Sequence, residues 1–392
     1  MAEAPNPNPP PAPRTSWLRG LLLRLALLAL GVLLALLLGE LALRLVGHEG
    51  PTGTFRDREV GRRFARSWSG EVLVEEAGRP VHLAFNAEGV RDRDWPARPA
   101  PGALRVAVLG DSMVAALATD AGQRFTALES LPRAAGAPQA LEVQNWGVSG
   151  SSPALATRLL EARVLAGRPH VALLCWFVGN DLSDDWPPLG GRRFQAAVLD
   201  ARDGLTWLPL AGETSPASEW LACHSRLYTW QKRMLDRLGA PAGEALRPGL
   251  RALEVQPDPL LEDAWRMAGA VIARFAQAAR AGGAQPALLV IPCAEQAYDD
   301  LWEREAARAR PPGERGERWA ASARVLALAA GAGCVARAWR PPAGLQVARA
   351  ADHVFLGGTG HLNDRGHALL RAELLALLQG LPAPAAAPEG AR

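Results

Sequence analysis

The sequence predicts an α/β fold, a flavodoxin-like three-layer sandwich on a parallel sheet, preceded by one N-terminal transmembrane helix. Three observations predict it. Short runs rich in aliphatic and β-branched residues recur along the chain and end in turns bearing Gly, Asn or Asp. Stretches of helical periodicity separate them, and strands alternating with helices imply a parallel sheet covered on both faces. Gly20 to Val46 is almost wholly apolar and reaches membrane length once its ends snorkel.

The elements follow in order. Residues 1–19 open with a proline-rich stretch, Pro5 to Pro13, that cannot form a helix and reads as disordered. Residues 20–46 read as an anchor whose only charges are Arg24 near one end and Glu40 and Arg44 near the other. The run lacks a small-x-small cleavage site, which disfavours a signal peptide, and is apolar on all faces, which disfavours a core helix. Arg14, Arg19 and Arg24 precede its uncharged core, so the N-terminus is expected inside and the rest outside the cytoplasmic membrane. Residues 47–101, rich in charge, Gly and Pro, read as a connector. A domain over residues 102–380 follows, then a Pro/Ala-rich tail, 381–392, that reads as frayed.

Within the domain, strands are expected at Leu104–Leu109, Leu141–Asn145, Val171–Val178, Ala287–Ile291 and Cys334–Ala338. Helices are expected at Gln123–Ala135, Pro153–Ala166, Leu260–Arg280 and Gly366–Gln379, with right-handed crossovers. The stretch between the third and fourth strands exceeds one crossover helix. Its excess, about 182–260, reads as an insertion over the strand ends, a lid or substrate wall carrying Trp186, Trp207, Trp220 and Trp230, with a helix over Ser218–Leu235. His224 within it reads as a packed or surface histidine.

Composition excludes some functions. The chain has 392 residues, 49 % of them hydrophobic, and a net charge of +3 without a basic stripe, which argues against nucleic-acid binding. Cys175, Cys223, Cys293 and Cys334 fit no metal-ligand spacing, and the apolar runs around three of them mark buried thiols. No metal or cofactor site is expected.

The chemistry gathers at strand ends. Gly110-Asp111-Ser112 follows the first strand, and a serine at the carboxyl end of a parallel strand lies where ligands bind in such sheets. A serine hydroxyl needs a base and an oxyanion site to become a useful nucleophile. Asn145-Trp146-Gly147 follows the second strand, Gly179-Asn180-Asp181 the third, and His361-Leu362-Asn363-Asp364-Arg365-Gly366-His367 precedes the last helix. Singly, these residues are ordinary: a helix N-cap, a turn glycine, an Asx turn.

Together, in this order, Ser112, Gly147, Asn180 and His361 resemble the SGNH (GDSL-type) hydrolase superfamily, over roughly Phe85 to Leu378. Phe85-Asn86-Ala87-Glu88-Gly89-Val90-Arg91 resembles a segment of its membrane-anchored bacterial branch. No Gly-x-Ser-x-Gly elbow is present, which disfavours the α/β-hydrolase fold. The resemblance implies Ser112 as nucleophile and His361, not His367, as base. It also implies the Ser112 and Gly147 N–H groups and the Asn180 amide as oxyanion donors. The pattern departs at one point: the acid expected two or three residues before the histidine is replaced by Gly358 and Thr359. A backbone carbonyl orienting His361 in a dyad, Asp352 folding back, Asp364, or loss of activity are all open. The implied activity is metal-independent and cofactor-free hydrolysis of O-acyl esters, on an acylated carbohydrate of the envelope or a small ester. Acyl transfer on the same fold and a carbohydrate-binding pseudoenzyme are the alternatives.

Overall fold

The structure, a computed structural model, describes residues 16–46, 51, 53–128, 140–189, 195–210, 212–238, 248–253, 258–306, 317–347, 353–356 and 360–381. The proline-rich start and all but Leu381 of the tail, both expected to be disordered, lie outside these residues. The apolar run forms one helix, α1 (Ser16–Leu45), and its apolar stretch is not buried in the protein. By length and composition α1 fits a membrane anchor or a signal sequence.

The segment read as a connector is folded. β1 (Phe55–Asp57) pairs with β2 (Gly61–Arg63), and β3 (Trp68–Val74) with β4 (Arg79–Phe85), both antiparallel. Period-two alternation drives the second pair: Val72 and Val74 on β3, and Val81, Leu83 and Phe85 on β4, are buried while their neighbours face water. Their apolar face packs with Phe55, Phe64, Ala115 and Ala222.

The main domain then runs β5 (Ala103–Gly110), α2 (Ser112–Ala115), β6 (Ala140–Gly147), α3 (Pro153–Ala162), β7 (Val171–Phe177) and α4 (Asp181–Asp185). A small pair, β8 (Ala197–Leu199) and β9 (Leu205–Trp207), leads into α5 (Pro216–His224), α6 (Arg226–Leu238) and the crossover helix α7 (Pro259–Ala281). β10 (Gln285–Ile291), the short α8 (Ala294–Ala297) and α9 (Asp299–Leu301), α10 (Ala320–Gly331), β11 (Val335–Ala338), α11 (Ala343–Gln346) and α12 (Asp364–Gln379) complete it. The five long strands form one parallel sheet in the order β6-β5-β7-β10-β11, the flavodoxin-like order with its switch point between β5 and β7. Every residue of β7 is buried, as a central strand covered on both faces requires. Helices α3, α7 and α10 pack side by side in one layer; α12 and the segment after β5 make the other.

Two expected helices differ. Gln123 does not open one but closes the 3₁₀ turn Ala121–Gln123, and residues 124–128 are non-helical, while 129–135 lie outside the described residues. The cause is tertiary: the Arg124 guanidinium bonds the Ala121 and Arg91 carbonyls, and Phe125 is buried against His367. The helix expected over Ser218–Leu235 is broken at Ser225. That residue is extended and turns its hydroxyl to the Tyr228 N–H at the start of α6.

At the end of the sheet away from the strand-end turns, Arg105 on β5 is fully buried. It bonds Glu142 at 2.7 Å and the carbonyls of Pro96, Arg98 and Gly167. Replacing it by Met leaves a carboxylate and three carbonyls without their donor. Arg105→Met is therefore expected to lower the unfolding free energy by about 3 kcal/mol, read as a drop in the urea midpoint. An unchanged midpoint would remove this network from the stability of the sheet.

Candidate active site

Ser112 stands at the point where β5 stops. Asp111 caps α2, its carboxylate accepting the Met113 N–H at 2.9 Å, and Ala116 closes the turn with φ 50° and its N–H on the Ser112 carbonyl. The Ser112 N–H, in the first turn of α2, has no acceptor among the described residues. Arg91 braces the helix from below. Its buried guanidinium donates to the carbonyls of Ala115, Ala116 and Thr119. Burial, with the charge of Arg124 beside it, pulls Arg91 down to about 9. The turn that delivers Arg91 is made by Asn86, whose side-chain oxygen accepts the Glu88 and Val90 N–H groups. This gives the Asn86-to-Arg91 segment a physical role: it carries a cation beneath the helix that starts at Ser112.

His361 Nε2 lies 2.8 Å from Ser112 Oγ, and His361 Nδ1 lies 2.6 Å from Glu76 Oε2. An ionised carboxylate only accepts, so Nδ1 carries the proton and donates to Glu76. Nε2 is then left to accept the Ser112 hydroxyl proton. Burial pulls the His361 pKa down, but the hydrogen bond to Glu76 and the charges of Glu76 and Asp111 outweigh it, and the net shift is upward. The carboxylate on His361 Nδ1 thus comes from the hairpin turn Glu75–Ala77 between β3 and β4, 285 residues away in the chain. Gly78, at φ 62°, reverses the chain there and lets the turn close in a conformation disfavoured for other residues.

Glu76 is not among the orienting groups left open by the sequence, which are a backbone carbonyl, Asp352 and Asp364. Asp364 accepts from the Thr119 hydroxyl and pairs with Arg79 at 3.6 Å, while Asp352, Gly358 and Thr359 lie outside the described residues. His367 is buried, stacks on Phe125 and is pulled down to about 3 by burial and by the charges of Arg91, Arg124, Arg371 and His361. Asn363, not Asp364, caps α12, accepting the Gly366 N–H at 2.9 Å.

The expected oxyanion donors are placed unequally. The Gly147 N–H is turned to Asn145 Oδ1 at 3.0 Å. What Gly147 supplies is room: a Cβ there would lie 2.3 Å from the Ala115 nitrogen, so only glycine lets β6 pass this close behind α2. The Asn180 amide lies against Asp184 at 2.8 Å and Asp111 at 3.3 Å, with its oxygen unpaired and buried. Beside it, burial and the neighbouring Asp111 push the Asp181 carboxyl well above its ordinary value, while it accepts the Phe177 N–H. A cavity of about 200 Å³ opens over Ser112, His361 and Glu76. Met113, Leu117, Leu362, Ser149 and Gly150 line it further, so Ser149-Gly150, two to three residues beyond Gly147, share this cavity with Ser112. No cluster that could hold a metal ion occurs among the described residues.

No family model and no curated protein matches the chain. Among solved structures it is similar to the psychrotrophic esterase EstA from Pseudoalteromonas sp. in a form inhibited by monoethylphosphonate. The identity is 13 %, with 71 % of this chain and 97 % of that one covered and a TM-score of 0.34. It is also similar to TesA, at 15 % identity, covering 70 % and 97 %, TM-score 0.34. A third is a mutant of Axe2, an acetyl-xylooligosaccharide esterase from Geobacillus Stearmophilus, at 11 %, covering 73 % and 99 %, TM-score 0.34.

If Glu76 holds the imidazole, Glu76→Gln is expected to lower kcat/KM on a short-chain ester by about 10⁴-fold, the loss typical when the orienting acid becomes an amide. The base works only as the neutral ring, so activity falls as the pH drops through the His361 pKa. Removing the charge that raises this pKa moves the acid limb of the profile to lower pH. Asp364→Asn is expected to leave both rate and profile close to wild type. An unmoved limb in Glu76→Gln would detach the carboxylate from the imidazole.

Proposed function

We propose that the chain is a membrane-anchored serine esterase of the SGNH type, removing O-acyl groups on the outer side of the cytoplasmic membrane. The observation that carries this reading is the continuous hydrogen-bond line from Glu76 through His361 to Ser112, at the floor of a cavity. That line supplies what a serine needs for nucleophilic chemistry at neutral pH: a base in the right tautomer and a fixed negative charge to stabilise the imidazolium.

In the first half-reaction Ser112 Oγ attacks the acyl carbonyl as its proton passes to His361 Nε2. The carbonyl oxygen becomes an oxyanion facing the Ser112 N–H and the backbone at Gly150. The Asn180 amide, whose contact with Asp111 is long at 3.3 Å, is the nearby side-chain donor. Collapse of the tetrahedral adduct expels the alkoxide, which takes the proton from His361 and leaves as the alcohol. A water then gives a proton to the same nitrogen and attacks the acyl carbon; the adduct collapses as Ser112 Oγ takes that proton back, and the acid leaves. At about 200 Å³ the cavity suits a short acyl group more than a long chain. An acylated carbohydrate or a small ester fits that requirement.

The pseudoenzyme reading rested on the missing acid, and Glu76 removes that motive. Transfer of the acyl group to a sugar hydroxyl uses the same residues, with the sugar replacing water in the second step. The anchor reading is supported by α1 and by Arg19 and Arg24 at its N-terminal end.

Two measurements test the proposal. A fluorophosphonate probe is expected to label Ser112, and Ser112→Ala to abolish labelling; labelling that survives in the alanine variant would put the nucleophile elsewhere. Asn180→Ala is expected to lower turnover of a short-chain ester by about 10²-fold, as for other lost oxyanion donors. Unchanged turnover would leave Asn180 as a turn residue only.

A further inference from the structure

Among the described residues, the insertion between β7 and β10 holds the largest group of exposed apolar side chains beyond α1. Among the described residues outside 17–46, eight large apolar side chains are exposed, and five of them, Trp220, Leu221, Trp230, Met234 and Leu235, lie on α5 and α6. Trp220 is 59 % exposed and Leu235 69 %. Single exposed apolar residues need no explanation, but a group of five on one helix pair does.

The same helix pair is joined to α1. Glu40, a carboxylate set in the apolar run, accepts the backbone N–H groups of Arg226 and Leu227 at 3.0 Å and the Ser225 hydroxyl at 2.9 Å, and pairs with Arg44 at 2.7 Å. Arg44 donates in turn to the His224 carbonyl at 2.7 Å. The carboxylate therefore caps α6 and sits at the positive end of its dipole. Next to this cap, Gly39 faces Leu227, and Leu227, Trp230 and Met234 follow one another at helical spacing, so that the apolar side of α6 begins at the α1 contact.

The position along α1 sets the depth. A helix of 29 residues is about 43 Å long, which matches a bilayer with its headgroups. Glu40 lies five residues before the end at Leu45, about 8 Å inward along the axis. When α1 spans a bilayer, that level is the boundary between headgroups and acyl chains, the depth at which amphipathic helices rest and tryptophans concentrate. Glu40, costly in an apolar run without partners, is satisfied by the junction it holds there.

We propose that α5 and α6 form a lipid-seated platform. Its apolar face, with Trp220 and Trp230, lies in the outer boundary of the bilayer that α1 crosses, and Glu40 fixes its height. Ala222 on α5 and Tyr228 on α6 pack against the β3–β4 hairpin that carries Glu76, so the platform also sets how far the active site stands from the lipid. This inference rests on the anchor reading of α1.

The test uses the full chain in nanodiscs of phosphatidylglycerol and phosphatidylcholine, with lipids brominated either near the glycerol end of the acyl chains or near their middle. Tryptophan fluorescence of Trp17→Phe, Trp220→Phe and Trp230→Phe is subtracted from that of the parent, and fluorophosphonate labelling of each variant checks the fold. The expected result is that the Trp220 and Trp230 signals lose most of their intensity to the shallow bromines and little to the deep ones. If the Trp17 signal is quenched while those of Trp220 and Trp230 are not, α1 is embedded and the platform proposal falls; burial of the face in a second copy or in another protein would give this result. If none of the three is quenched, the anchor reading falls and the proposal with it.

Discussion

Everything at the site depends on the β3–β4 hairpin being pressed against the turn that follows Ser112. Val72, Val81, Leu83 and Phe85 pack with Ala115, and Leu117 and Ala118 lie at the edge of the same cluster. That apolar contact brings the turn at Glu75–Ala77 to His361. Without it, the imidazole would have no carboxylate on Nδ1, and no fixed tautomer to present to the serine.

The second support is polar. Arg91 reaches under α2 from the end of the hairpin segment and ties the carbonyls of Ala115 and, just past the helix, Ala116 and Thr119, while Asp111 caps its start. A helix of four residues has too few internal hydrogen bonds to hold its own position, so the geometry of Ser112 is imposed from outside. The glycine at 147 belongs to the same requirement, because β6 passes directly behind α2. The chain places its charges accordingly: the His361 pKa is raised by a carboxylate it touches, and that of His367, buried in the first turn of α12, is lowered by burial and by arginines.

Much of this was legible in the sequence. The five sheet strands fall within a few residues of their expected limits, since continuous aliphatic runs bounded by turn residues are a local signal. So do α7 and α12, with periodic faces. Ser112 and His361 were readable as a pair because each sits in a segment with a distinct local pattern. The helix at Gln123 was misread because Arg124 and Phe125 are claimed by Arg91 and His367, partners that no local window contains. The break at Ser225 has the same origin, since the carboxylate joining that serine in capping α6 comes from α1.

What the sequence by itself determined is the run of parallel-sheet strands, the crossover helix before β10 and the closing helix, because periodicity and turn chemistry act over a few residues; Ser112, Gly147, Asn180 and His361 stood out only by their order and their places at segment ends. The alternation of apolar and polar residues on either side of Glu75-Glu76-Ala77-Gly78 is a local hairpin signal that the reading of this segment as a connector passed over. Only the tertiary structure decided which acid completes the line. A hairpin acidic residue looks like any solvated charge until packing carries it to its partner. That packing is a sum of apolar contacts between segments far apart in the chain, with no pattern in the neighbourhood of Glu76 to announce them. The same holds for Glu40, whose neighbours mark only a membrane run, and whose role is decided by the helix that folds back onto it.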